Sequence, residues 1–232
     1  LQARLSPGAV VRVDEPLARR TTLRVGGPAD LFVEPAGEAD LAATLRFCGE
    51  HRLPRLLLGR GSNLLVRDGG VRGVVVSLAH AEFAQLRCAG GRLQCGAGVK
   101  LKQVAQEARR QALAGFEFLE GIPGSLGGAL RMNAGAMGGW MFEVVESVRC
   151  MDERGEVQER ARAAIEVTYR CCPLLRDHVA LSAVLRGQPG DRAEIEARMS
   201  GFSAQRWRAQ PAAASAGLHF QESRDDSRRQ AD

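Results

Sequence analysis

The pentapeptide Gly59-Arg60-Gly61-Ser62-Asn63 directly follows the apolar run Leu56-Leu57-Leu58 and precedes Leu64. Residues of these types at the end of a buried strand can hold an anion. Glycines there accept positive φ, so successive backbone N–H groups can converge, and Arg60, Ser62 and Asn63 add side-chain donors. The same spacing also suits a plain tight turn. It is not a Rossmann fingerprint, because the third glycine is missing and Leu64-Leu65-Val66 follows where a helix should open. No Gly-Lys-Ser/Thr occurs in the chain, which removes a P-loop.

A second glycine-dense stretch runs from Gly115 to Trp140. Such a run loses much conformational entropy on folding unless something packs closely on bare backbone. Within it, Gly121-Ile122-Pro123-Gly124-Ser125 leads into Leu126, Gly127, Gly128 and Ala129, which can start a short helix whose first amides face a pyrophosphate. Asn133 and the small residues Ala134, Gly135 and Ala136 would let a flat ring lie against the chain. The alternative is a glycine-mediated helix packing contact. Tyr169, the only tyrosine, stands beside Arg170. Taken alone, that pair is an ordinary surface arginine and a half-buried aromatic.

The elements that must position these residues follow from periodicity. Leu23 to Pro35 reads as two short strands about a Gly-Gly-Pro turn. A helix is predicted from Glu38 to His51, with Leu41, Leu45 and Cys48 on one face and Pro54 closing it off. Strands at Arg55–Gly59 and Gly73–Leu78 complete a β-α-β-β unit. The next unit begins near Phe83, with short strands through Leu86 and Leu93. A helix carrying Leu101, Val104, Ala105, Ala108 and Ala112 follows. A hairpin around Glu153-Arg154-Gly155 and a strand from His178 to Arg186 come next. Gly187 to Gly190 is read as a breaker, and Asp191 as the cap of a helix reaching about Trp207 that opens a third unit. The expected division is 1–80, 81–188, 189–217 and a tail, 218–232.

Composition narrows the function class. The chain has 232 residues and a formal charge of +5, spread over arginines interleaved with acids rather than gathered in a basic arm. Eight Phe, two Trp and one Tyr do not alternate with the arginines as a stacking platform for nucleic acid requires. No nucleic-acid partner and no membrane insertion are expected, since no segment approaches the roughly 20 apolar residues of a span. The six cysteines form no CxxC pair, and the start lacks the apolar run of a signal peptide. Reduced thiols in a cytoplasm are therefore expected, with no metal site. No obligate protein partner is expected either.

TTLRVGGPAD, LLLGRGSNLLVRDGGVRGVVV, GFEFLEGIPGSLGGALRMNAGAMGG and Tyr169-Arg170, in that order, resemble the UDP-N-acetylenolpyruvoylglucosamine reductases. The resemblance covers roughly Leu17 to Gly217. It implies an α+β fold of the FAD-binding, vanillyl-alcohol-oxidase-like (PCMH) type, with two subdomains gripping FAD and only the start of a third, substrate-binding domain. It further implies NADPH as reductant and a UDP-sugar enolpyruvyl ether as the small-molecule substrate, in peptidoglycan precursor synthesis. The FAD contacts implied are Gly59 through Leu64, Gly121 through Ser125, Gly127, Gly128 and Asn133 through Ala136. Arg170 and Tyr169 stand at the catalytic positions, Arg170 stabilising charge that develops on the substrate carboxylate.

The sequence departs from that family near its end. Where the family carries a Ser or Cys proton donor after Ser-Ala-Gly, here Ser215-Ala216-Gly217 is followed by Leu218, which cannot donate a proton. Ala209 occupies a position where several members carry lysine. One permitted choice of codons for Leu218 to Asp232, read with the first base dropped, gives Cys-Ile-Phe-Lys-Asn-Pro, which reads like the family's own continuation. We therefore expect a frameshifted, C-terminally truncated copy with an aberrant, disordered tail and impaired turnover, or a non-catalytic FAD-binding form. His219 and the cluster Glu222, Asp225 and Asp226 are read as tail residues, not as a catalytic or metal group.

Overall fold

The computed structural model describes residues 1–209, so the sequence expectations for 210–232 lie outside the described residues. The first sheet is built by β1 (Val10–Pro16), β2 (Pro28–Glu34), β3 (Arg55–Leu58) and β4 (Val71–Ser77), with α1 (Glu38–Glu50) between β2 and β3. Its order is β1-β2-β4-β3, antiparallel at β1 and parallel elsewhere. Val74, Val75 and Val76 of β4 form the near-continuous apolar run of a strand buried on both faces. Leu41, Leu45 and Cys48 of α1 pack on one of those faces at helical spacing.

The sequence reading of Leu23 to Pro35 needs correction. Only β2 is a strand, and the residues before it turn, with Arg24 at φ 55° and the Thr21 hydroxyl donating to the Val25 carbonyl at 3.0 Å. The antiparallel partner of β2 is β1, whose mixed burial and buried Glu15 hide it from a search for apolar alternation. The unit is accordingly β-β-α-β-β.

The second sheet carries β5 (Leu86–Ala89) and β6 (Arg92–Gly96), followed by α2 (Leu101–Arg110) and the short β7 (Leu113–Ala114). Ala112 lies just past α2 with φ 53°, so it belongs to the turn and not to the helical face. Then come α3 (Leu126–Arg131), β8 (Gly135–Ala136), β9 (Gly139–Trp140), α4 (Met141–Val144), β10 (Val145–Met151) and β11 (Val157–Ala161). After α5 (Leu174–Asp177), β12 (Val179–Arg186) completes an antiparallel sheet of order β11-β10-β12-β6-β5. The Gly187 to Gly190 stretch is more than a breaker: Gln188–Pro189, β13, pairs with β7.

The last helix, α6 (Arg192–Ala209), is capped as its sequence suggests, with the Glu194 N–H donating to Asp191 Oδ1 at 3.0 Å. It lies against α2 and the turn Glu117–Gly121, where Ile195 and Met199 enter the core of the second sheet. Arg198 pairs with the buried Glu117 at 2.7 Å and Arg109 with Glu196 at 2.9 Å. The two sheets share a core. Met151, Val179 and Leu181 of the second pack with Leu41, Leu45 and Val76 of the first, and Arg149 and Glu38 form a two-pronged ion pair across the junction. No helix among the described residues is long and apolar enough to cross a membrane, and no group there could hold a metal ion.

Candidate functional site

The loop after β3 is fixed from beneath by the turn that joins β1 to β2. Gly61 has φ 60°, and a Cβ there would fall 2.2 Å from the Arg20 carbonyl oxygen, while its own carbonyl accepts the Thr22 N–H at 3.0 Å. Arg20 is itself held by Glu15 at 2.9 Å and Glu34 at 3.2 Å and lies over the Phe32 ring at 4.3 Å. The far side of the loop meets the second glycine segment. Ser62 Oγ donates to the Pro123 carbonyl at 2.6 Å, and Gly59 stands against Ser125, whose Oγ would be 2.8 Å from an added Cβ.

At this junction lies a cavity of about 650 Å³, a volume within the range of cofactor pockets. Gly59, Arg60, Ser125, Gly127 and Gly128 line it. The floor is apolar, formed by Leu58, Val76, Leu78, Ala97, Leu175 and Val179. Its charged lining is five cations, Arg55, Arg60, Lys100, Arg131 and Arg176, against the single carboxylate of Asp177, with His178 beside them. An apolar floor under a cationic mouth suits a flat heterocycle joined to a diphosphate. Ser125, buried and making no side-chain cap to α3, leaves its hydroxyl free for such a ligand.

Two amides at the start of α3 do not face the cavity as the sequence suggested. The Leu126 N–H donates to the Val99 carbonyl at 2.9 Å and the Gly127 N–H to the Ala97 carbonyl at 2.8 Å, which stitches α3 to the loop after β6. The cationic side chains of Arg60, Lys100 and Arg131 line the cavity instead. Sequence reasoning missed Arg55, Lys100, Arg131, Arg176 and His178, because they come from four separate segments and only the fold assembles them.

The remaining sequence-derived site residues divide by place. Gly61, Asn63 and Leu64 do not line the cavity, and Leu64 packs on the core beneath the first sheet. Gly121 is buried beside Arg206, whose Cδ lies 3.9 Å from where a Cβ would be; burial pushes that guanidinium's pKa below its ordinary value. Ile122 packs on the second core, and Pro123 and Gly124 form the approach to α3.

A second corner lies beyond the C-terminal end of α3. Asn133, buried with φ 38°, donates from Nδ2 to the Thr168 carbonyl and accepts the Phe142 N–H on Oδ1, both at 3.3 Å. It thereby ties the β8-β9 hairpin to the turn that carries Tyr169 and Arg170. Ala134 is buried, and its carbonyl accepts the Met141 N–H at 2.8 Å; Gly135 and Ala136 form β8. Thr168 and Cys171 exchange backbone hydrogen bonds at 2.9 and 3.2 Å and present Tyr169, 76% exposed, with Arg170 at φ 57°. Non-glycine residues held in that region cluster at functional sites. The six residues of α3 span the two places: Arg131 lines the cavity, and its carbonyl accepts the Cys172 N–H behind the Tyr169 turn at 3.2 Å.

Residues 29–160 match the family model described as an FAD binding domain. The UDP-N-acetylenolpyruvoylglucosamine reductase of Clostridioides difficile is 42% identical over 212 residues, covering 90% of this chain and 69% of the relative. That of Geobacter metallireducens is 46% identical over 195 residues, covering 84% of this chain and 64% of the relative. This chain therefore spans about two thirds of the length of these proteins. The crystal structure of the Thermus caldophilus UDP-N-acetylenolpyruvylglucosamine reductase superposes with a TM-score of 0.78 at 33% identity, over 91% of this chain and 74% of the other. The 6-hydroxy-D-nicotine oxidase of Arthrobacter nicotinovorans shares the fold alone, with a TM-score of 0.61 at 17% identity over 80% of this chain and 43% of the other. The architecture is the two-subdomain FAD-binding fold of the vanillyl-alcohol-oxidase type, and the chain belongs to the UDP-N-acetylenolpyruvoylglucosamine reductase family.

Proposed function

We propose that the cavity between the two glycine segments holds FAD, and that the chain serves the NADPH-dependent reduction of an enolpyruvyl UDP-sugar in peptidoglycan precursor synthesis. The observation that carries this reading is the cavity's lining, an apolar floor beneath five cations and one carboxylate. Leu58, Val76 and Val179 would enclose the adenine, while Arg60, Lys100 and Arg131 with the Ser125 hydroxyl would neutralise the diphosphate. FAD, when bound, would accept a hydride from the nicotinamide and deliver it to the substrate double bond.

The chain's own part in that chemistry is placement and charge. Arg170, fixed by the Thr168–Cys171 turn, would meet the substrate carboxylate and stabilise the charge that grows there. Tyr169 would shield the reacting face from water. Gly59, Arg60, Ser125, Gly127 and Gly128 would form the bed on which the cofactor lies, and Gly61 through Leu64, Gly121 through Gly124 and Asn133 through Ala136 would brace it from behind. Six thiols without a disulfide fit a reducing compartment, the cytoplasm. One sequence feature favours a second reading, FAD binding without turnover: Leu218 stands where the family carries a proton-donating Ser or Cys.

Purification and assay test both readings. The FAD reading expects a yellow protein that releases FAD, not FMN, on denaturation; a colourless protein that ignores added FAD contradicts it. NADPH oxidation dependent on the enolpyruvyl UDP-sugar supports the reductase. Flavin retention with no such oxidation supports the binding form.

A further inference from the structure

The seat of the Trp140 indole has a purpose that FAD binding leaves unexplained. Gly135 and Trp140 face each other across the β8-β9 hairpin, and a Cβ at Gly135 would lie 2.3 Å from Cε3 and 2.7 Å from Cδ2 of the indole. The ring therefore lies flat on bare backbone at a spacing that no other residue type allows. The hairpin itself is anchored. Trp140 N–H donates to Glu143 Oε2 at 2.9 Å, and Gly139 is seated on Phe118, whose Cδ1 would be 2.8 Å from an added Cβ. A partly buried tryptophan held this firmly has one aromatic partner among the described residues. Tyr169 meets it edge-on, with ring centroids 5.6 Å apart and planes at 71°. The Arg170 guanidinium lies over the same phenol ring at 5.7 Å.

Tyr169 would otherwise be a free rotor, since it is 76% exposed on a two-residue turn. We propose that Trp140 is a positioning residue: its indole, seated on Gly135, holds the Tyr169 ring and, through that ring, the Arg170 guanidinium. The flat ring that Gly135 accommodates is then the protein's own. The effect on turnover rests on the functional reading above, whereas the effect on Tyr169 does not.

The test uses the full chain loaded with FAD and four variants: Trp140→Ala, Trp140→Phe, Gly135→Ala and the double variant Gly135→Ala/Trp140→Ala. One tyrosine and two tryptophans are present, so the tyrosine contribution to near-ultraviolet circular dichroism comes from Tyr169 alone. That signal is expected to collapse in Trp140→Ala and Gly135→Ala and to survive largely in Trp140→Phe. The destabilisation caused by Gly135→Ala should shrink when Trp140 is also alanine, because the added methyl then meets only the Gly139 carbonyl oxygen at 2.8 Å. Reoxidation of NADPH-reduced FAD by the enolpyruvyl UDP-sugar should slow about tenfold in Trp140→Ala with FAD affinity unchanged, and recover in Trp140→Phe. An unaltered tyrosine signal in both Trp140→Ala and Gly135→Ala overturns the proposal, as does a parent protein with no such signal. If the parent takes no hydride from NADPH, the functional reading falls and the dichroism still decides the role of Trp140.

Discussion

In the loop after β3 the closest approach is backbone on backbone, whereas in the hairpin after α3 it is an aromatic ring on backbone. Gly61 lies under the Arg20 carbonyl, which cannot move without disturbing β1 and β2. Gly135 lies under the Trp140 side chain, with the Gly139 carbonyl oxygen 2.8 Å from where a Cβ would be. Both segments look alike as sequence, and neither of these glycines lines the cavity. Glycine density marks close packing, and the identity of the packed group must come from the fold. Only Gly59, Gly127 and Gly128 among the glycines expected at the site open onto the space where a ligand fits.

Three substitutions of one chemistry should separate along that line. Gly61→Ala combines positive φ with a clash against fixed backbone and is expected to cost at least about 3 kcal/mol, with loss of bound flavin, read from chemical denaturation and visible absorbance. Gly135→Ala, whose two nearest neighbours are side-chain atoms and whose φ is not positive, should cost about 1–2 kcal/mol. Gly69→Ala, with nothing within 4 Å of its added Cβ, should stay within about 0.5 kcal/mol. Equal losses at Gly61 and Gly135 would break the distinction.

Asp40 offers a comparison outside both segments. Burial opposes its ionisation, but the Ser6 N–H at 2.8 Å, the Ser6 hydroxyl at 2.7 Å and the Ala36 N–H at 3.1 Å hold its pKa below the ordinary value of 3.8. A lowered folded-state value stabilises the protein fully above pH 3.8, and that contribution is lost as pH falls through the folded-state value. Asp40→Asn is expected to cost about 2 kcal/mol at neutral pH, and its melting curve should converge with the parent's in strong acid. Flavin content should not change, because Asp40 does not line the cavity.

Arg131→Ala removes one of five cations from the cavity without touching the core, and should weaken FAD binding about tenfold with little change in melting temperature. Fluorescence titration of the apoprotein reads this directly. The smallest expected effect concerns thiols. Cys88 and Cys171 are partly exposed and should react first with a disulfide reagent. Burial pushes the Cys95 thiol up to about 12, so it should stay unreacted until the protein unfolds.

Much of the scaffold can be read from the sequence, because α1, β4, α2 and β12 carry strong apolar periodicity into a core. Edge strand β1 is not legible, since its one buried side chain is Glu15. The meeting of the glycine segments is legible as a possibility, but the cations around them are not. Lys100, Arg131 and Arg176 come from three separate elements, and charge gains its meaning only from the cavity they share. The uses of Gly61 and Gly135 are equally hidden, because each depends on a partner chosen by tertiary packing.

On the proposed reading the cavity holds a dinucleotide and not merely a flavin ring. Titration of the apoprotein with FAD, FMN and riboflavin tests it most directly. The structure predicts that FAD binds at least about 100-fold more tightly than FMN or riboflavin, since only FAD carries the adenine and diphosphate that meet the apolar floor and cationic mouth. Equal affinity for the three flavins would contradict it.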